Sequence, residues 1–411
     1  MTSIDLNMVQ TAGIGALALM IGMVLTRKVS FLQKFCIPSP VSGGLIFSLI
    51  GLALYGWGHI ELSFDGTLRD IFMLAFFTSV GYQSDFKVLK QGGKALAVML
   101  LLLVLIIALQ NLMPLGITRL MGVDPLLGIA AGSVSMTGGH GTAGGFAQVL
   151  ENMGLQGAGT IGMAAATFGL IAGSMIGGPM AEFMIRKKLV NEQKQPKDKE
   201  IDPAMAGIES DEASPTGRAK RISSNEQEFQ QYAKASYWIL LAMAGGTLLS
   251  WALAKTGVTF PSYFGALILA AIMRNTIGFI PSLLDMDRII SVGNICLSLF
   301  LGMAMISLRL WELQSLALPL VVILVSQVVM MILFVFFVAF PLLGRDYDAA
   351  VLCAGICGFG LGATPNAMAN MSAVCYKYRY TVKPFLIVPI IGAMFADLIN
   401  TAIITLFLNL L

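Results

Sequence analysis

Two stretches of this chain combine glycine with hydroxyl and amide side chains in a pattern that a continuous helix does not tolerate. The first is Thr137-Gly138-Gly139-His140-Gly141-Thr142-Ala143-Gly144-Gly145, with Ser133 and Ser135 just before it. The second is Gly358-Phe359-Gly360-Leu361-Gly362-Ala363-Thr364-Pro365-Asn366, with Asn370 just after it. Each glycine costs a helix about 1 kcal/mol relative to alanine, and proline costs about 3, so both stretches read as breaks between half-helices. N–H groups at a helix N-terminus attract carboxylates, and exposed carbonyls at a C-terminal end coordinate cations. Two such breaks facing each other make a site for an anionic solute and a cation together. Pro365 has no N–H to leave unpaired and a fixed φ, which suits the start of a half-helix. His140 sits at the first break, and its position fits a satisfied loop histidine as well as a ligand-binding one.

One more residue stands out. Asp397 lies near the middle of an otherwise apolar stretch, with Asn400 and Thr401 one turn away. An Asp at the centre of a membrane helix costs about 2.5–3.5 kcal/mol on insertion scales, so such residues usually line an ion or substrate path. A cation ligand, or a partner for a substrate ammonium, is the expected role. Gln110, Asn111, Asn294 and Gln327 are further polar residues in apolar surroundings, and interhelical hydrogen bonding accounts for each. No catalytic constellation is present: there is no HExxH, no GxSxG with partners and no Walker motif, and the GLGATP run lacks the GK[ST] ending that phosphate binding needs. Five cysteines without metal spacing read as small apolar residues, and two histidines are too few for a metal cluster. A net charge of only +3 gives no reason to expect nucleic acid binding.

The elements that position these residues must cross a membrane. Of 411 residues 56% are hydrophobic and 12% charged, and the mean hydropathy is +0.80; a soluble domain would be about a quarter charged. Spans of about 20 apolar residues are expected at 8–26, 41–58, 68–84, 95–117 and 158–185, and again at 236–254, 262–281, 289–307, 316–341 and 384–409. The first follows Asp5 rather than a basic leader, so it reads as a spanning helix and not a cleaved signal. The broken stretches, 125–151 and 347–374, are expected to enter the membrane and turn back, because broken backbone at that depth survives only where protein or a watery cavity satisfies it.

Five spans in each half is an odd number, so the halves must have opposite orientation. With the N-terminus outside, 22 of the 26 basic residues fall on the inner side and only Arg69, Arg119, Lys255 and Arg309 on the outer side, as the positive-inside rule requires. At an offset of 223, Pro38-Ser39 meets Pro261-Ser262, Phe77 meets Phe300, and Gly132, Gly139 and Gly169 meet Gly355, Gly362 and Gly392. The same offset brings span onto span and break onto break, the signature of an inverted repeat. At the position that answers to Asp397 stands Ser174. The fold expected is therefore an all-α polytopic membrane protein: a first repeat over 1–185, a second over 235–411, each with a re-entrant hairpin, joined by a segment over 186–234. That segment holds ten basic and nine acidic residues and reads as a flexible, solvated cytoplasmic linker.

The motifs MTGGHGTAGGFAQV (136–149), CGFGLGATPNAMANM (357–371) and SFLQKFCIPSPVSGGL (30–45) resemble the bacterial sodium/glutamate symporter family. LRDIFMLAFFTSVG (68–81), NICLSLFLGMAM (294–305) and LWELQSLALPL (310–320) are similar to it as well, so the resemblance spans nearly the whole chain apart from the linker. It implies an inner-membrane carrier for Na⁺-coupled uptake of L-glutamate, with no catalytic residue and no cofactor beyond the coupling ion. It also implies ten spans, opposed hairpins and a homodimer in membrane lipid; the charge count above puts both termini on the periplasmic side. Substrate contact is then expected from Ser135, Thr137, Gly138, Gly139, His140, Gly141 and Thr142 on the first break and Gly360, Gly362, Thr364, Pro365 and Asn366 on the second. Na⁺ is expected at Asp397, Asn400, Asn370 and Ser133. Elevator-type alternating access follows by analogy of fold, and a Na⁺- or H⁺-coupled carrier of another organic anion is the alternative.

Overall fold

The computed structural model describes residues 2–58, 60–87, 93–188, 217–255, 257–278 and 284–411. Nearly all of the ordered structure is helix. In the first half the helices are α1 (Met8–Lys28), α2 (Ser30–Lys34), α3 (Ser39–Gly58), α4 (Thr67–Gln83), α5 (Gly93–Met121), α6 (Pro125–Ala130), α7 (Gly139–Asn152) and α8 (Ala158–Lys188). In the second they are α9 (Gly217–Ala254), α10 (Phe264–Thr276), α11 (Met286–Ile306), α12 (Ala317–Phe334), α13 (Tyr347–Leu361), α14 (Thr364–Lys377), α15 (Lys383–Ile390) and α16 (Ala396–Leu408). Among the described residues seven helices are long and apolar enough to cross a membrane: α1, α3, α5, α8, α9 from Glu228, α11, and α12 continued to Leu342. The chain is a multi-pass membrane protein.

The other three expected spans differ in form. The 68–84 span is α4, at 17 residues. The 262–281 span holds a helix of only 13 residues, α10, followed by Gly278; residues 279–283, with Pro281, lie outside the described set. The 384–409 span is α15 and α16 joined by a π turn at Ile391–Phe395. A second π turn, Val335–Ala339, carries α12 on to Pro341, where the missing proline N–H and the bulk of its ring favour a widened turn. Most of the expected linker, 189–216, also lies outside the described residues. Its last part does not read as coil: from Gly217 the chain is already helical and runs without interruption into the span. Good helix formers such as Gln, Glu, Ala and Lys dominate there, so a helix supported at its membrane end extends outward.

A short parallel ribbon was not expected. β1 (Thr2–Leu6) pairs with β2 (Ile60–Phe64), Thr2 against Ile60 through Leu6 against Phe64. It closes the end of the α1–α3 helix pair that the charge distribution assigns to the outer side. Ion pairs join residues that the charge reading puts on one side. Arg309 reaches Glu61 at 3.0 Å and Glu312 at 3.5 Å on the expected outer side. Asp85 with Arg274 at 2.9 Å and Glu182 with Lys377 at 2.7 Å lie on the expected inner side. Burial pushes the Glu312 carboxyl above the usual carboxylate range, and Arg309 opposes that shift.

Helix packing repeats between the halves. α1 packs on α3 as α9 packs on α10; α3 packs on α11 as α10 packs on α4; and α4 and α11, counterparts at the 223 offset, pack on each other. Small residues make the close crossings possible, as in membrane bundles generally. A Cβ at Gly22 would overlap the Ser39 carbonyl, and one at Gly43 would overlap that of Ala18. Gly22→Val is therefore expected to destabilise the protein by about 1–3 kcal/mol through overpacking, seen as a lower melting temperature in detergent. Gly13→Ala on the same helix, where nothing lies within 4 Å, is the control and leaves the melt unchanged.

Candidate functional site

Both broken stretches are built as two arms around an interruption. The first arm of the first, α6, opens on Asp124, whose carboxylate accepts from the Leu126 N–H at 2.8 Å, with Pro125 at the first helical position. Successive turns then run from Ala131 to Gly138 before α7 begins at Gly139. In the second, Asp346 caps α13 through the Ala349 N–H at 2.7 Å. The helix stops at Leu361, Gly362 turns the chain, Ala363 is extended, and α14 restarts at Thr364 with Pro365 in its first turn. Neither Gly138 nor Ala363 provides a side-chain cap, so the first-turn N–H groups of α7 and α14 point into the break without an intrahelical partner.

The two breaks touch. The Thr137 hydroxyl lies 3.4 Å from the Gly360 carbonyl, and a Cβ at Gly139, where φ is +58°, would sit 3.1 Å from the Gly362 carbonyl. Both pairs are counterparts at the 223 offset, so equivalent positions of the two halves meet each other. Around this contact, amides tie down the free backbone. Gln110 on α5 accepts from the Thr137 hydroxyl at 2.7 Å and donates to the Gly360 carbonyl. Gln327 on α12 donates to the Gln110 and Ala131 carbonyls at 2.9 and 3.3 Å. Asn111 donates to the Ser133 hydroxyl at 2.8 Å and accepts from its N–H at 3.2 Å. The polar residues first read as interhelical ties, Gln110, Asn111 and Gln327, thus bond to the breaks or to their first arm.

The remaining candidates fall into two groups. Ser135 is held within its own half: its hydroxyl donates to the Ala130 and Gly162 carbonyls. His140 shares a 3.0 Å bond between Nε2 and the Thr167 hydroxyl, which in turn donates to Met163 O at 2.9 Å. The two small residues beside the second break lean on α8: Asn366 donates to Leu170 O at 3.0 Å and to Ser174 Oγ at 2.7 Å. Asn370 donates to Gly173 O at 2.9 Å and to Ala354 O at 3.3 Å. Asn400 joins Ser133, donating to its carbonyl at 3.0 Å. Of the four residues expected at Na⁺, Asn400 and Ser133 are thereby brought together, whereas the Asn370 amide nitrogen is engaged elsewhere.

Several oxygens are left open. Thr142 Oγ1, Gln327 Oε1, Asn366 Oδ1, Asn400 Oδ1 and Thr405 Oγ1 are buried without a hydrogen-bond partner, and the Tyr263 hydroxyl faces Thr401. Asp397, partly buried, lies one turn before Asn400 and Thr401 on α16 and near Tyr263, directly after the π turn. The Met394 carbonyl in that turn accepts from Ser84 at 3.1 Å. Buried polar groups are normally paired, so Asn400 Oδ1, beside Ser133, is an oxygen whose bonding a ligand could complete. Tyr263 was not singled out from the sequence. Its ring stacks on Phe77 at 3.6 Å and closes over Gly145, and the only hint was its place after the repeated Pro261-Ser262 pair.

A family model described as "Sodium/glutamate symporter" matches residues 4–380. The chain belongs to the sodium/glutamate symporter family. It is 38% identical over 410 residues to a sodium/glutamate symporter of Escherichia coli strain K12, covering 98% of both chains. It is 39% identical over 400 residues to one of Haemophilus influenzae, covering 96% of this chain and 95% of the other. These relatives align over nearly the whole chain, whereas the family model ends before α15.

At the meeting point of the breaks, Gly139→Ala places a Cβ against the Gly362 carbonyl and forces alanine into left-handed φ, at a cost of about 1–2 kcal/mol. The variant is expected to fold, with a slightly lowered melting temperature, and to lose most solute binding.

Proposed function

We propose that this member of the sodium/glutamate symporter family is a secondary active transporter for Na⁺-coupled uptake of L-glutamate across the bacterial inner membrane. The carrying observation is the meeting of the two breaks, with their uncapped helix N-termini, in a chain whose full-length relatives are named sodium/glutamate symporters. The function is transport, not catalysis.

In this reading the breaks at 125–151 and 347–374 are re-entrant hairpins of two inverted repeats, 1–185 and 235–411, with 186–234 a cytoplasmic connection and both termini periplasmic. The contacts of Thr137 with Gly360 and of Gly139 with Gly362 support the inversion, since counterparts meet at a two-fold axis. Charge division of the ion pairs supports the topology. The bonds to glutamate carboxylates come from the first-turn N–H groups of α7 (Gly139, His140, Gly141) and α14 (Thr364, Asn366), with Pro365 fixing the turn and Ser135, Thr137, Gly138, Thr142, Gly360 and Gly362 shaping the space. Backbone dipoles at these helix N-termini carry this task. The oxygens of Asp397 and Asn400, beside Ser133, suit a hard cation; Thr401 adds a further oxygen. Asn370 acts as a tie between α14 and α8.

Movement is assigned to the hairpin-bearing part. Gly141, Gly144 and Gly145 of α7 lie against Phe76, Phe77, Tyr263 and Phe300 of α4, α11 and the α10 cap. This smooth aromatic-on-glycine contact supports an elevator motion against a scaffold of α1, α3, α4, α9, α10 and α11, paired as a homodimer in lipid.

Radiolabelled glutamate is expected to accumulate in proteoliposomes under an inward Na⁺ gradient and not when K⁺ replaces Na⁺; equal accumulation in the two would refute the coupling. Asp397→Asn is expected to weaken apparent Na⁺ affinity by about tenfold or more, judged against the 10–100-fold cost of disturbing even outer ligands of a metal site. Unchanged Na⁺ dependence would remove Asp397 from the ion site.

A further inference from the structure

We propose that Gln110 is a positioning residue for transport: its side-chain amide bridges the two breaks and makes them respond to ligand as one unit. The inference rests on the Na⁺-coupled glutamate reading and adds to it the residue through which ion and solute are linked.

Gln110 belongs to neither hairpin. It sits on α5, a helix unbroken from Gly93 to Met121. Its two amide ends do different work. Oε1 accepts from the Thr137 hydroxyl of the first break at 2.7 Å, and Nε2 donates to the Gly360 carbonyl of the second at 2.5 Å. The same Gly360 carbonyl lies 3.4 Å from the Thr137 hydroxyl, so hydroxyl, amide and carbonyl close a small polar ring between the breaks. The backbone beneath is anchored too, since the Gln110 carbonyl accepts from Gln327 at 2.9 Å.

Burial turns this ring into a linkage. Gln110 and Gln327 are both 0% exposed and Thr137 is 7% exposed, so water does not substitute for a lost bond. If one break shifts relative to the other, a buried donor and a buried acceptor lose their partners together, at about 1–3 kcal/mol each. A ligand that orders one break therefore orders the other, which is a coupling free energy between two sites. The glutamines are also not a duplicated packing feature. At the 223 offset Gln110 answers to Leu333 and Gln327 to Val104, which are 50% and 40% exposed. Each amide points inward where its counterpart is an aliphatic side chain on the outer surface.

Side-chain chemistry makes the test sharp. Leucine offers neither end of the bridge. An ionised glutamate keeps the acceptor for Thr137 and loses the donor for Gly360, while a protonated one restores both. The measurement is glutamate affinity of the purified, reconstituted full chain in Na⁺ and in K⁺, taken as a ratio, with the melting temperature recorded alongside. Asn275→Leu is the structural control, because the Asn275 amide donates to the Ser84 and Ala271 carbonyls at 2.7 and 2.8 Å away from the breaks. The control is expected to melt lower and keep the wild-type ratio. Gln110→Leu is expected to lower the ratio by about tenfold, within the usual range of coupling between sites. Gln110→Glu is expected to recover toward wild type as pH falls, with the wild type measured over the same range. A Gln110→Leu ratio within about twofold of wild type, the margin of independent sites, overturns the proposal. If that variant does not fold, a Gln110→Glu ratio whose pH dependence matches wild type overturns it instead. A wild type with no Na⁺-dependent binding overturns the transport reading and this proposal with it.

Discussion

The constraint on which the rest of this structure depends is the hydrogen bonding of backbone that is not helical at membrane depth. Hydrocarbon offers no partner for a free N–H or carbonyl. Ser133, Gly360 and Ala131 present carbonyls at the breaks, and each is met by a side-chain amide from Asn400, Gln110 or Gln327, while Asn366 and Asn370 tie the second break to the continuous α8. Amides suit the task because they are uncharged, carry a donor and an acceptor, and sit on helices whose own backbone is already paired. Among the described residues the buried side-chain amides, Gln110, Asn111, Gln327, Asn366, Asn370 and Asn400, all bond at or beside these two places.

Glycine solves the complementary problem of approach. The α13 helix can run close to α8 because Gly169 and Gly173 face its carbonyl end, where Leu361 and Cys357 present oxygens. On the opposite side of the bundle the α7 glycines leave room for whole aromatic rings. Small residues thus bring backbone to backbone at the site and ring to backbone at the surface across which the hairpins are proposed to move. In the absence of a hydrophobic driving force between helices, such contacts and interhelical hydrogen bonds are the main stabilising terms.

The two halves are not equivalent where the chemistry lies. Asp397 is answered by Ser174, and Ser174 accepts from Asn366, so one half contributes the charge and the other a hydroxyl to the second break. The interruptions differ as well: a run of turns and a bend over 131–138 in the first, a turn at Gly362 and one extended residue, Ala363, in the second. The π turn before Asp397 occurs on one side alone among the described residues, since α8 runs straight through the corresponding positions. The two halves thus differ at the positions proposed to discriminate ion from solute.

Composition and pattern alone determined the membrane class, the two breaks and the division of charge, because each is a local property: apolar length, glycine and proline cost, and the count of basic residues by loop. They also singled out Asp397, since an ionisable residue in an apolar run is conspicuous without any partner in view. What the sequence left undecided is pairing. Gln110, Asn111 and Gln327 look alike as isolated amides, and only the fold shows that they close onto segments far away in the chain. Tyr263 gave almost no signal, because one more aromatic beside a proline is ordinary until it is found stacked on Phe77. The π turns, the short α10 and the helical extension before Lys234 likewise escaped, since they arise from how neighbours support or interrupt a helix. Hydrogen-bond partners at membrane depth are chosen by three-dimensional proximity, and that is the part that only the tertiary structure decided.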